Sequence, residues 1–539
     1  MQKTFVLHTL CALLALVALV SSAAQPPNVR MGLTEEQEIG GVQHPRLLPS
    51  RDFVALDEEL ETRFWHDKAQ TILADKLASH QKLNENRAKN VIMFLGDGMS
   101  VHTIAATRAF LGDSNKQVYF EKFPYLGLSK TYAVNERTPD SASTATAYLS
   151  GVKANYGTIG VNAQVERADC VRGADASTHT QSIAQWAQEA GKWAGLVTTA
   201  RVTHASPAGV YAHTAERNWE HDGLITDSGC SSELNMDTAR QLVEWSVGRD
   251  LRVIMGGGRS YFRDQTMHDE EGNGGLRNDG RDLIKDWQED KSNRGAKGEY
   301  VWSLKGLQET DLNKTDYLLG LFDASHLPYH GDRKRSHLEY AEPSLSDMTE
   351  SAIKLLRRND EGYFLFVESG RIDMAHHATL AHKALEDTEQ FAAAIKLARD
   401  LTNQEDTLIV VTSDHSHTMS INGYPYRRQN IFSLAPNLAE DELPFTILSY
   451  ANGPGNAANT YSSSSGRVDL SHVDTTSADF RFQATVPLSS ETHGAEDVAV
   501  FASGPYEHLF TGNYEQSSIP AMMAFAANMG PFSKDKLNE

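Results

Sequence analysis

"YFLFVESGRIDMAHH", residues 363–377, sets an unbroken apolar run directly before Glu368, a glycine, Asp373, His376 and His377. A short apolar run closed by a turn residue reads as a buried strand, and the stretch after it, which goes on to His382, reads as the start of a helix. Carboxylate and imidazole are poor filler for a strand end, yet they are the oxygen and nitrogen donors that a divalent metal takes. On a helix Asp373 and His377 are four positions apart, so they share one face and could bind one ion.

The same rhythm recurs outward in both directions. "NVIMFLGDG" (90–98), "GLVTTARVTHAS" (195–206), "LRVIMGGG" (251–258), "TLIVVTSDHSH" (407–417) and "DVAVFASG" (497–504) are apolar runs that end in turn residues, with helical stretches between them. Strands alternating with helices predict an α/β fold, a large central and mainly parallel sheet with helices on both faces. Ligands of such sheets bind beyond the carboxyl ends of the strands. Asp97, His204, Glu368 and Asp414 each follow an apolar run, so several strands would deliver acids and histidines to one edge. Residues 25–539 read as one domain. Within it, residues 25–88 are charged and helical in pattern, and "HDEEGNGGLRNDGRD" (268–282) reads as a surface loop. Residues 424–485, with "NGPGNAANTYSSSSGR", break the rhythm and read as an inserted irregular subdomain.

The 539-residue chain carries 50 basic against 71 acidic residues, a net charge of −21. That balance argues against nucleic acid or an anionic membrane surface as the main partner. An anionic substrate would therefore need local positive charge or metal at its site. Residues 1–24, "MQKTFVLHTLCALLALVALVSSAA", pattern as a secretory signal peptide. No other stretch is apolar enough for a transmembrane segment, and the C-terminal residues lack a lipid-anchor pattern, so the expected mature protein is soluble and secreted. Cys170 and Cys230, the two cysteines left after the signal, most simply pair in an oxidising compartment. Asn313, in "NKT", is a glycosylation acceptor, which expects a surface loop there.

Three more stretches carry chemistry. "TSDHSHT" (412–418) offers Asp414, His415 and His417, and "ETHGAED" (491–497) offers His493. With Asp97, Asp373 and His377 these are enough oxygen and nitrogen donors for two zinc ions with open positions. Glu368, Asp97 and the Ser206 hydroxyl are oxygen-only donors that suit magnesium. In "RTPDSASTATAYLSG" (137–151), Pro139 breaks the chain, Asp140 can cap, and Ser141 begins a helix, where free amides favour an oxyanion or phosphate. No G-x-S-x-G elbow surrounds Ser141, which argues against an α/β-hydrolase triad. "THASPAGVYAHTAERNWE" (203–220) offers His204, Ser206, His213 and Arg217, the last a planar fork suited to phosphate. "GGGR" (256–259) lacks the Lys-Ser/Thr ending of a P-loop and reads as a strand-end turn.

"NVIMFLGDGMS", "TPDSASTATAYLSGVKANYGTIG", "VTTARVTHASPAGVYAHTAER", "FLFVESGRIDMAHH", "VTSDHSHT" and "ETHGAEDVAVFASGP" resemble, in order from about residue 85 to 530, the corresponding stretches of animal alkaline phosphatases. The resemblance implies a homodimeric, metal-dependent phosphomonoesterase of alkaline-phosphatase-like fold that acts on small phosphate monoesters through a phosphoserine. It implies Ser141 as nucleophile and Arg217 as phosphate clamp. Asp373, His377 and His493 would hold one zinc, and Asp97, Asp414 and His415, joined by Ser141, the other. Asp97, Ser206 and Glu368 would hold magnesium, with His204 in its shell. The resemblance further implies a calcium site from the Phe322 carbonyl, Asp323, Glu342 and an acid of the 268–282 loop, Glu270 or Glu271. The segment 424–485 would correspond to the small crown subdomain of that family. This chain departs from the family in lacking a second disulfide near the C-terminus and an anchor tail. It also carries Met374 where relatives have a basic or imidazole side chain. A phosphodiesterase or sulfatase on this scaffold would use Thr or a modified Cys as nucleophile, and "DSAST" offers neither in that place. An inactive binding protein would lack a ligand, and each expected ligand is present in the chain.

Overall fold

The structure, a computed structural model, describes residues 57–80, 83–455, 461–462 and 466–537. The expected signal peptide lies outside these residues. A 10-stranded sheet forms the centre. In chain order its strands are β1 (Asn90–Gly96), β2 (Tyr125–Lys130), β3 (Trp193–Arg201), β4 (Val253–Gly257), β5 (Gly298–Val301), β6 (Tyr317–Leu321), β7 (Tyr363–Ser369), β8 (Thr407–Thr412), β9 (Val498–Ser503) and β10 (Gly512–Glu515). Their spatial order is β10-β2-β9-β8-β1-β7-β3-β4-β6-β5. All pairings are parallel except those of β9, which runs against β8 and β2.

The expected α/β sheet is thus present, and its middle is built from the most continuous apolar runs. β7, β8 and β4 are buried at every position, and β1 at every position after Asn90. Val, Ile and Phe suit strands that are covered on both faces, and such burial leaves no room for polar alternation. The strands accordingly feed two large apolar clusters. Leu196, Phe364 and Leu408 belong to one, and Val197, Leu365 and Ile409 to the other. β2, β5, β6 and β10 were not legible in the sequence. β2 alternates buried and exposed positions in six residues, β5 and β10 are four-residue edge strands, and the run of β6 is interrupted by Gly320. The direction of β9 was not legible either, because an apolar run does not encode its orientation.

Three helices matter for the site: α1 (Ser141–Ser150), α2 (Arg371–His377) and α3 (Ala381–Asp400). Asp140 caps α1 by accepting from the Ser143 amide at 3.2 Å, and Gly151 ends it at φ +74°, a left-handed position that costs glycine nothing. Within 424–485, Leu448–Gly453 pairs with Met419–Ile421 and with Ala484–Pro487 in a three-stranded sheet. Phe432, Ile447, Leu470 and Phe482 of this segment cluster with Ala381 and Leu385 of α3. The 268–282 stretch holds no helix or strand, but it is not only surface. Arg277 is fully buried, pinned between Asp237 and Asp279 at 2.9 and 2.6 Å.

Candidate metal centre

Register places the site. Leu95 of β1 pairs with Glu368 of β7 and with Thr412 of β8, and Thr198 of β3 pairs with Glu368. The residues that follow, Asp97, His204, Asp373 and Asp414, therefore emerge along one carboxyl edge. Asp97, Glu368 and Asp414 have no exposed surface, and Asp373 keeps 4%. Burial first, then Asp414, Asp373 and Glu368, hold the Asp97 carboxyl well above the usual carboxylate range. Burial likewise pushes Glu368 up to about 7. Asp414 is held down at about 2 despite its burial, because His415 lies 3.0 Å away. This much buried like charge is costly unless cations join it.

Two details test whether cations fit. The first is a set of orphans: Asp97 Oδ2, Ser206 Oγ and Glu368 Oε1 are buried without a hydrogen-bond partner. These are the three oxygen donors expected for magnesium. Glu368 is steadied through its other oxygen by the Thr198 hydroxyl. The second is a convergence of imidazoles. His377 Nδ1 lies 2.5 Å from the Glu491 carbonyl and His493 Nδ1 2.8 Å from the Pro139 carbonyl, so both protons sit on Nδ1. Their Nε2 lone pairs then meet at 3.1 Å, each 3.3 Å from Asp373 Oδ1. Lone pairs facing one another and a carboxylate call for a metal, and a carbonyl behind each ring is the usual second support of a metal-bound histidine. The residues fit the ions.

Ser141 starts α1 with 1% exposure, its Oγ 3.1 Å from His415 Nε2 and 3.5 Å from Asp97 Oδ1. Arg217 donates to Asp140 Oδ2 at 3.0 Å, so the cap of α1 also aims the guanidinium. Burial raises the Asp140 carboxyl, but Arg217 and the Gly157 and Ser143 amides outweigh it and hold the group below its ordinary value. Burial, then Arg217 and Arg201, keep His204 well below its ordinary value and hence neutral. Ser141, Arg217, Asp373, Met374, His377 and His493 all line one open cleft of about 740 Å³.

Some residues of the opening stretch do other work. His376 spans Thr103 and Tyr450 at 3.0 and 2.9 Å, and His382 stacks on Phe432 at 4.2 Å. His213 stacks on His179 at 4.4 Å, away from the cleft. Sequence reasoning offered His417 as a donor without placing it in a metal set, and did not single out Glu491. His417 bridges Asp373 Oδ1 at 2.8 Å and Glu491 Oε2 at 2.5 Å. Burial would lower it, but the two carboxylates push it up to about 10. In the sequence nothing distinguishes His417 from its neighbours; strand pairing of His493 with His417 brings them in.

The acids named for calcium lie among arginines. Glu342 is buried with Oε2 unpartnered, and burial, then Asp323 and Glu271, push it up to about 7. In the loop, Glu270 pairs with Arg263 at 2.6 Å and Glu271 with Arg259, and Glu271 is the one whose charge reaches Glu342. Cys170 and Cys230 form a disulfide with Cα atoms 5.7 Å apart.

Divalent cations reconcile this fold edge with its charge, so fold and cleft together define a metal-dependent hydrolase. Comparison with known proteins is specific. Residues 88–529 match the family description "Alkaline phosphatase". The membrane-bound alkaline phosphatase of Bombyx mori is 45% identical over 509 residues, 90% of each chain. The alkaline phosphatase of Gadus morhua is 45% identical over 491 residues, covering 88% of this chain and 98% of that one. The solved alkaline phosphatase of the Antarctic bacterium TAB5 shares the fold at 23% identity and a TM-score of 0.56, covering 82% of this chain and 99% of that one. A mutant of that enzyme has Mg bound in its M3 site. The chain belongs to the alkaline phosphatase family and is, with that membership, a metal-dependent phosphomonoesterase.

Proposed function

We propose that this chain is a secreted enzyme that hydrolyses small phosphate monoesters through a phosphoserine on Ser141, with two zinc ions and one magnesium ion. The observation that carries the reading is the placing of Ser141 Oγ, 3.1 Å from His415 Nε2 and 3.5 Å from Asp97 Oδ1, on the cleft that Arg217 lines. Asp373, His377 and His493 would hold one zinc, and Asp97, Asp414 and His415, with Ser141, the other. Asp97, Ser206 and Glu368 would hold magnesium beside His204, and the Phe322 carbonyl, Asp323, Glu342 and Glu270 or Glu271 would hold calcium. Bound there, such ions supply charge that acidifies a coordinated hydroxyl or water and stabilises the transferring phosphoryl group.

The chain's own groups do the rest. Ser141 loses its proton and Oγ attacks phosphorus; the Oγ–P bond forms as the ester P–O bond breaks, and the leaving oxygen takes up a proton. A water oxygen then attacks phosphorus, the Oγ–P bond breaks, and Ser141 regains a proton. Throughout, Arg217 pairs two N–H groups with two phosphoryl oxygens, held in place by Asp140. The start of α1 adds amide dipoles that favour the bound anion.

Secretion is supported by the disulfide, which needs an oxidising compartment, and by the signal-like residues 1–24. Asn313 is exposed, as a glycosylated residue must be. No helix among the described residues is long and apolar enough to cross a membrane. We infer the homodimer from the family resemblance, and light scattering tests it. For the mechanism, a chelator should abolish hydrolysis of p-nitrophenyl phosphate, and zinc with magnesium should restore it. Acid trapping of phosphate should label Ser141 in the wild type and leave Ser141→Ala unlabelled. Label on another residue, or full activity in metal-free protein, would falsify the reading.

A further inference from the structure

The cleft extends past the phosphoryl end to a wall the reaction above leaves unused, lined by Tyr156, Arg167 and Asn218. Arg167 is fixed there. Its Nε and Nη2 donate to the two Glu216 oxygens at 2.6 and 2.9 Å, and its guanidinium lies 5.5 Å from the Tyr156 ring. Glu216 also accepts from the Asn218 amide at 3.1 Å. Gly157 makes room for the stem, since a Cβ there would come within 2.5 Å of Arg167 Cδ, and its φ of +81° disfavours other residues in any case. The wall is tied to the clamp by two backbone bonds of 2.9 Å, Arg217 N–H to Gly157 O and Ala168 N–H to Ala215 O. Three residues beyond Arg167, the Cys170–Cys230 bridge anchors the loop.

A second guanidinium is therefore fixed on the same cleft that Arg217 lines. Glu216 occupies one edge of its fork; among the described residues Nη1 has no protein acceptor. In a chain of net charge −21, such a prearranged donor offers a local attraction that a diffuse surface charge does not. Arg167 has no part in the phosphoryl steps described above.

We propose that Arg167, locked by Glu216 against Tyr156, is a leaving-group subsite that favours substrates whose leaving group carries its own negative charge, a phosphate or a carboxylate. The proposal rests on the phosphomonoesterase reading and adds to it a basis for substrate choice. AMP and ADP share the base and sugar, but the group released is neutral adenosine from AMP and anionic AMP from ADP. Initial rates on both give the ratio of kcat/KM for ADP over AMP. In Arg167→Ala that ratio should fall about fivefold, the upper range for a partly exposed charge pair, mainly through KM for ADP. Arg167→Lys, which keeps the charge without the fork, should recover part of the loss. An unchanged ratio, absence of ADP hydrolysis by the wild type, or no recovery in the Lys variant overturns the subsite. Failure of the underlying reading shows itself separately, as AMP hydrolysis that survives Ser141→Ala.

Discussion

Met374 is where single-residue chemistry decides most. It follows Asp373 directly, lines the cleft, and has Arg371 Nη1 2.8 Å from its sulfur. Arg371 in turn lies 3.8 Å from the centre of the Tyr329 ring. A thioether is at best a weak acceptor, so position 374 offers phosphate no donor. A donor to an anion is worth about 1.5–3 kcal/mol when desolvated, less through water. Met374→His should therefore lower the inhibition constant for phosphate several-fold, and slow turnover wherever product release limits it. Phosphate inhibition of both proteins at one pH and metal concentration checks this, and unchanged or weaker inhibition in the variant rejects it.

At the scale of elements, α2 acts through its four-residue spacing: Asp373 and His377 fall on one face, and the Glu491 carbonyl sets the tautomer of His377. Glu491 comes from a distant segment, yet its carboxylate also takes the Thr418 amide at 2.7 Å and the His417 ring. One buried acid thus braces two elements of the candidate metal site. The disulfide works differently. It joins the short helix Cys170–Gly173 to Cys230, in the turn after the Asp222–Asp227 helix, across a sequence separation of 60. Closing such a loop restricts the unfolded chain by about 4 kcal/mol in the chain-entropy model. Replacing both cysteines by serine should lower the free energy of urea unfolding by that order. A loss below about 1 kcal/mol would mean that native strain or residual unfolded structure cancels the effect.

For the whole molecule, the metal-free protein should lose stability in alkali, and bound metal should lessen that loss. Without ions, Glu368, Glu342 and Asp387 are each raised to about 7, chiefly by burial. His417 stands at about 10 despite its burial. All four bind protons more tightly folded than unfolded, so each contributes stability that is lost as pH rises through the folded value. The lowered histidines, such as His326 at about 2, act only below the ordinary histidine range. Between pH 7 and about 9 the metal-free melting temperature should therefore fall. A cation bound at Glu368 would hold that carboxylate ionised and remove its share of the fall, leaving that of His417. A melting temperature for the metal-free protein that stays flat or rises rejects the account.

The sequence by itself determined the α/β class, the middle strands and the donors at their ends, because long apolar runs and the residues closing them are local signals. Asp97, Glu368, Asp373, Asp414 and His415 could be singled out for that reason, and their shared edge follows from parallel pairing. Only the tertiary structure decided which neighbours join them. His417 and Glu491 enter because His493 pairs with His417 across separate segments. Half-buried β2, the short edge strands and the reversal of β9 likewise depend on partners far along the chain. A side chain's type sets what it can bind, but burial and the opposing charge that it meets are properties of the packed molecule.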